Sequence, residues 1–262
     1  MKNLKLYQVD AFTDKIFHGN PAAVCLLDEW VDDQLMQNIS SENNLAETAF
    51  VVPKENEFEI RWFTPKVEVD LCGHATLASA FVIFNFTGYK KEEIVFNSKS
   101  GILKVKKIDD LLELDFPADN LTPVKIEDEI LNCVGIEPIE TFKGISDYLA
   151  VFNTETEIKN IKPDFSKVSK LNSRGLIITA QGEKVDFVSR FFTPQLGINE
   201  DPVTGSAHTS LTPYWSKKLG KKELKAEQLS DRGGSLYCTE CGERIKIAGH
   251  ARLYLIGDIY IR

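Results

Sequence analysis

Four side chains in this sequence are of types and placements that could move or hold protons: Glu47, Cys72, His74 and Asp201. Glu47 sits in Asn44-Leu-Ala-Glu-Thr-Ala-Phe-Val-Val52, where an apolar run leads into a strand. A carboxylate there is either exposed at a strand end or buried. Burial would favour the neutral acid and suit it to acid–base work near neutral pH. Cys72, Gly73 and His74 stand at a loop-to-helix junction, followed by Ala75–Phe84, which is small or apolar nearly all round. A thiol at a helix N-terminus is expected to have a lowered pKa and could act as base or nucleophile. A second junction, Asp201-Pro-Val-Thr-Gly205-Ser206, also opens on a glycine and a run of small residues. Unpaired N–H groups and the helix dipole make such N-termini anion sites, so two of them facing each other would grip a carboxylate. The bland readings stand beside these: glycines that relieve crowding at a tight turn, a structural histidine, and an aspartate that forms a turn before Pro202.

The elements that would position these residues occur twice. Residues 58–65, F-E-I-R-W-F-T-P, match residues 187–194, F-V-S-R-F-F-T-P. Helix-like Val31–Asn44 falls opposite Asn160–Ser173, and strand-like Thr48–Pro53 opposite Ile177–Gly182. Both copies then reach a glycine-led helix. Glu47 breaks the symmetry, since its counterpart is Leu176. The pattern predicts an α+β fold made by internal duplication. Each of two similar domains is a curled mixed or antiparallel sheet around a central, fully buried helix. The first domain is expected over residues 1–117 with returning strands at about 251–262, and the second over 118–250. Asp115–Pro123, with two prolines and several turn formers, reads as the link between them. No G-x-G-x-x-G follows any strand, which argues against a dinucleotide-binding sheet.

Composition narrows the partners. The chain of 262 residues has a net charge of −8, which disfavours a nucleic-acid surface. Lys217, Lys218, Lys221, Lys222 and Lys225 read as a solvated helix face. No apolar run approaches a membrane span, and the first ten residues lack the apolar stretch of a signal peptide. Five irregularly spaced cysteines fit a reducing cytoplasm. Cys238-Thr-Glu-Cys241 is a lone C-x-x-C with only His250 near it, so a β-turn with two incidental thiols is expected and no metal.

Taken together, Gln8–Thr13, Gly19-Asn-Pro-Ala-Ala-Val24, Asn44-Leu-Ala-Glu-Thr48, Arg61-Trp-Phe-Thr-Pro65, Cys72-Gly-His-Ala-Thr76 and Asp201–His208 resemble the phenazine-biosynthesis PhzF-like family. The match runs in order to about residue 215. The resemblance implies a diaminopimelate-epimerase-like fold with the active site in a cleft between the domains. It also implies a cofactor-independent isomerase acting on a small carboxylate-bearing substrate. By the same resemblance Glu47 shuttles the proton, His74 and Asp201 hold polar groups of the substrate, and Gly73, Gly205 and Ser206 form carboxylate-binding turns, with Cys72 at the first turn. Family habit implies a homodimer. One position departs: Ala46 stands where the family commonly has serine, which bears on the phenazine substrate more than on proton transfer. Two other readings compete. A two-thiol racemase would pair Cys72 with a second cysteine, which Asp201–Ala207 does not supply. A ligand-binding protein of the same fold would have lost the chemistry.

Overall fold

The computed structural model describes residues 2–261. The chain divides into two compact units, Met1–Asp115 with Ala248–Arg262, and Phe116–Ile247. In chain order the elements are β1 (Lys2–Ala11), β2 (Asn20–Leu26), α1 (Asp33–Asn43), β3 (Glu47–Pro53), β4 (Phe58–Phe63), β5 (Glu68–Val69), α2 (Gly73–Phe86), β6 (Glu93–Ser98), β7 (Gly101–Ile108) and β8 (Leu111–Pro117). They continue as β9 (Thr122–Pro123), α3 (Glu127–Val134), β10 (Glu140–Lys143), β11 (Tyr148–Val151), α4 (Glu155–Asn160), α5 (Phe165–Val168), β12 (Leu176–Gln181), β13 (Phe187–Thr193) and β14 (Ile198–Glu200). The last are α6 (Gly205–Leu219), β15 (Glu223–Gln228), β16 (Gly234–Cys241), β17 (Arg244–Gly249) and β18 (Ala251–Ile261). The fold is α+β with mixed pairing.

In the first unit β2 runs parallel to β3, β3 antiparallel to β4, and β4 parallel to β6. The second unit repeats this with β11, β12, β13 and β15. An ion pair repeats too. Arg61 grips Glu68 through Nε and Nη2 at 2.7 and 2.8 Å, and Arg190 grips Glu200 through the same atoms at 2.8 Å each. Their guanidinium groups lie over Phe63 and Phe192 respectively. The arginine of each R-x-F-T-P motif therefore ties its strand to the short strand that follows, β4 to β5 and β13 to β14.

The helix α2 lies against β1, β2, β3, β7 and β18. Ala75, Leu77, Ala78, Ala80, Val82 and Ile83 are fully buried, as a helix with no polar face requires. Two of its buried hydroxyls are satisfied within the helix: Thr76 Oγ1 donates to the Cys72 carbonyl and Ser79 Oγ to the Ala75 carbonyl. On the other side of β3, Phe50 and Val52 pack with Met36 and Ile39 of α1. Thr48 to Val52 are consequently all buried. β18 pairs antiparallel with β1 and so completes the first unit's sheet.

Three local expectations fail. The segment opposite α1 is not one helix: α4 ends where that segment begins, at Asn160, Pro163 lacks an N–H, and only the single turn α5 is helical beyond it. Cys238 and Cys241 lie on strand β16, with the turn following them at Gly242 and Glu243. Side chains three apart on a strand point to opposite faces, and Cys238 is buried while Cys241 is exposed. The lysines do not share a helix face either: Lys217 and Lys218 end α6, and Lys225 lies on β15.

Candidate active site

The local chain positions Glu47 in three steps. Asp32 caps α1, its carboxylate accepting from the Gln34 and Leu35 amides. Asn44 ends the helix in the left-handed conformation at φ 50°, which asparagine tolerates better than most residues. Leu45 and Ala46 then lead into β3, of which Glu47 is the first residue. Parallel pairing sets Glu47 opposite Ala22 on β2, two residues beyond Asn20.

The N-terminus of α2 brings the other groups to this strand end. Cys72 is its N-cap residue and Gly73 and His74 its first turn. His74 Nε2 lies 3.2 Å from Glu47 Oε2. That distance suits a hydrogen bond, and among the described residues neither atom has another partner. On the opposite edge of the ring, Nδ1 is 3.2 Å from Asn20 Nδ2 and 3.5 Å from Cys72 Sγ. His74 and Cys72 are buried, whereas the Glu47 side chain keeps 15 % of its surface exposed. Glu47 is thus the member of the group that reaches outward.

Burial disfavours a charged imidazole, but the acidic groups at its two edges, Cys72 and Glu47, outweigh it and hold the His74 pKa well above the ordinary 6.5. The thiol behaves contrary to the helix-terminus expectation. Burial, together with the Glu47 charge, pushes Cys72 up to about 11. Desolvation of a thiolate outweighs the helix dipole here, so Cys72 is a neutral thiol at physiological pH.

Glu47, Cys72 and His74 also carry donor atoms within 4.8 Å of one another, close enough to consider a cation. The imidazole argues against shared ligation. Its Nδ1 faces Cys72 and its Nε2 faces Glu47, on opposite edges, and one ion can take only one of these lone pairs. The arrangement is a row of three titratable side chains with the imidazole in the middle.

The second unit builds a different helix entrance. Thr204 is the N-cap residue of α6, followed by Gly205 and Ser206. The Thr204 hydroxyl donates to Asp201 Oδ2 at 2.6 Å. Gln228, fully buried, clamps the turn: its Nε2 donates to the Asp201 carbonyl at 2.7 Å and its Oε1 accepts from the Thr204 amide at 2.9 Å. Arg174 also reaches this helix start, donating from Nη2 to Ser206 Oγ at 3.1 Å. A forked pair with buried Asp147 holds the guanidinium in place. His208, one turn into α6, is fully buried; its Nδ1 donates to the Thr204 carbonyl at 2.8 Å. Burial depresses its pKa to about 4.

The structure therefore gathers Glu47, Cys72, Gly73 and His74 at one helix start, and Asp201, Gly205 and Ser206 at the equivalent start in the other unit. Sequence reading did not single out Asn20, Arg174, Asp147 or Gln228. Arg174 had a findable signal: Ser173-Arg-Gly175 aligns with Asn44-Leu-Ala46 in the repeat, placing a cation where the first copy leads into Glu47.

The family described as phenazine biosynthesis-like protein (PhzC-PhzF) matches residues 9–257. The chain belongs to this family. A Pseudomonas aeruginosa protein named an uncharacterized isomerase is 49% identical over 258 residues, spanning 98% of this chain and 99% of its own length. A crystal structure of a PhzF-family protein from Enterococcus faecalis superposes with a TM-score of 0.97 at 46% identity, covering 99% of this chain and 100% of that one. A predicted epimerase from Pseudomonas aeruginosa shares the fold, with a TM-score of 0.78 at 18% identity over 99% of this chain and 100% of its own. Several full-length relatives are named isomerases, and the chain is an isomerase of the PhzF family.

Proposed function

We propose that the protein moves a proton on a small carboxylate-bearing metabolite, using Glu47 as a single acid–base residue and no cofactor. The observation that carries this reading is the outward-reaching Glu47 carboxylate set 3.2 Å from the buried His74 imidazole. Glu47 takes a proton from a carbon next to an electron-withdrawing group and returns it to another carbon on the same face, so one C–H bond breaks, one forms and the double bond shifts. His74 stabilises the carboxylate through Nε2–H. Asp201, Gly205 and Ser206 serve as the residues that bind the substrate's polar groups and carboxylate, with Gly73 and Cys72 contributing backbone donors from the first helix start. A two-thiol mechanism is disfavoured, because Cys72 is neutral at physiological pH and no cysteine stands at the start of α6.

The reading extends to a cytoplasmic homodimer. Five free thiols suit a reducing compartment. Tyr254, Leu255, Ile256 and Tyr260 leave an exposed apolar stretch on β18 that a second copy would cover. Sedimentation should give twice the 29.5 kDa of the chain. Among the described residues no helix is long and apolar enough to cross a membrane.

The test of the chemistry is Glu47→Gln, which keeps shape but cannot accept a proton. It should bind candidate cyclic and amino carboxylates like the parent while turnover falls roughly 10²–10⁴-fold. Retained turnover would refute the assignment.

A further inference from the structure

The Glu47 carboxylate lies 3.2 Å from Nε2, and a carboxylate oxygen only accepts, so the edge of His74 that faces it carries an N–H. A neutral imidazole has one such proton, which makes Nδ1 the acceptor at the other edge. Two groups meet Nδ1, the Asn20 amide at 3.2 Å and the Cys72 thiol at 3.5 Å. Asn20 is fully buried, and its position is fixed by the chain on both sides. Gly19 before it has φ 66°, and a Cβ there would lie 2.2 Å from the Ala11 carbonyl oxygen. Pro21 follows it, and Asn20 itself pairs with Ala11 across β1 and β2. Only glycine fits at 19, so the amide is delivered to the ring by a rigid strand entry.

We infer that Asn20 is a positioning residue for His74: its amide meets Nδ1 and so keeps the Nε2 proton directed at Glu47. An amide suits this task because it presents a donor and an acceptor of nearly the same size. With Nδ2 toward the ring it supports the neutral imidazole. After a half-turn its Oδ1 supports an Nδ1–H, and the ring can become charged without moving. His74 can then change its charge while its Nε2–H stays on Glu47 Oε2, which leaves Oε1 for the substrate. That consequence rests on the proposed role of Glu47; the tautomer itself does not. The titratable groups facing His74 are Glu47 from β3 and Cys72 from the helix cap.

The test uses full-length protein labelled with 15N-histidine, ligand-free, and follows the His74 ring nitrogens by NMR across a pH series. In the parent protein the neutral ring should carry its proton on Nε2. Asn20→Asp, which can only accept, should raise the His74 midpoint by about 1–3 units. Asn20→Leu, which supports neither form, should lower it. A parent ring whose neutral form is protonated on Nδ1 overturns the inference without any variant. So does a midpoint that fails to rise in the order Leu, Asn, Asp. Glu47→Gln turnover reads the proton-transfer role separately, so either result can fail while the other stands.

Discussion

The two glycine-led helix starts come from one repeated pattern, yet they are furnished with opposite chemistry. At the start of α2 a carboxylate, an imidazole and a thiol lie in a row, and Glu47 emerges from the row. At the start of α6 the Asp201 carboxylate sits among hydroxyls, amides and a guanidinium, and it already accepts from the Thr204 hydroxyl, while Arg174 is held by Asp147. Both entrances also carry a buried histidine. His74 lies between acids and its pKa is raised; His208 lies 5.8 Å from the Phe187 ring, with one carbonyl for a partner, and its pKa is depressed. Duplication supplied the same scaffold twice. What differs is which neighbours the strand ends deliver, and on the proposed reading that separates the end that exchanges protons from the end that binds.

The largest effect that would break this contrast is in acid. A neutral, buried His208 must take up a proton on unfolding, so its contribution is complete above pH 6.5 and lost as pH falls toward about 4. At 1.36 kcal/mol per unit, that is about 3 kcal/mol. Chemical denaturation at stepped pH should show the loss, and His208→Gln should flatten it. His74 contributes with the opposite sign. Its raised pKa means stabilisation present below 6.5 and lost as pH rises through the higher folded value. A His74→Gln protein should therefore lose its stability deficit as the solution becomes alkaline. An equal acid response from both histidine variants would erase the distinction.

Next in size is Asp147→Ala. Removing its buried partner leaves Arg174 only the charges of Asp201 and Asp119, and that guanidinium keeps 33% side-chain exposure, so roughly 2–3 kcal/mol is expected. Ser206 would also lose its anchored neighbour, and the substrate KM should rise more than kcat falls. A fall in kcat alone would move the second entrance into the chemistry. Smaller still are Arg61→Lys and Arg190→Lys. Each loses one forked bond to a carboxylate and should cost about 1 kcal/mol by denaturant midpoint, with Arg190→Lys the costlier because its Nη1 also holds the Ile158 and Ile161 carbonyls, whereas that of Arg61 reaches only the exposed Asp33. Smallest is Cys72→Ala, which should leave kcat within about tenfold, since a neutral thiol is not the base. A loss of several orders of magnitude in a folded protein would restore the thiol to the mechanism.

The fold class was legible because its signals are periodic. The R-x-F-T-P repeat marks β4 and β13, and an all-round apolar run marks α2. The failures came where one residue outweighed a pattern. Pro163 broke the helix that the alignment placed opposite α1. Burial and a neighbouring carboxylate reversed the pKa shift that position alone gave Cys72. Glu47 and His74 could be named from local sequence, but their adjacency arises from a parallel strand register joined to a helix 26 residues further on. Asn20 was beyond local reading for the same reason, since nothing in Gly-Asn-Pro announces a histidine 54 residues away.

The most direct test of the contrast is solvent deuterium exchange into a substrate at saturating concentration, compared in the parent protein, Glu47→Gln and Ser206→Ala. The account predicts that Glu47→Gln loses exchange by at least ~10²-fold, while Ser206→Ala keeps it once enough substrate is supplied. Exchange surviving in Glu47→Gln, or vanishing at saturation in Ser206→Ala, would place the proton transfer at the other helix and contradict the account.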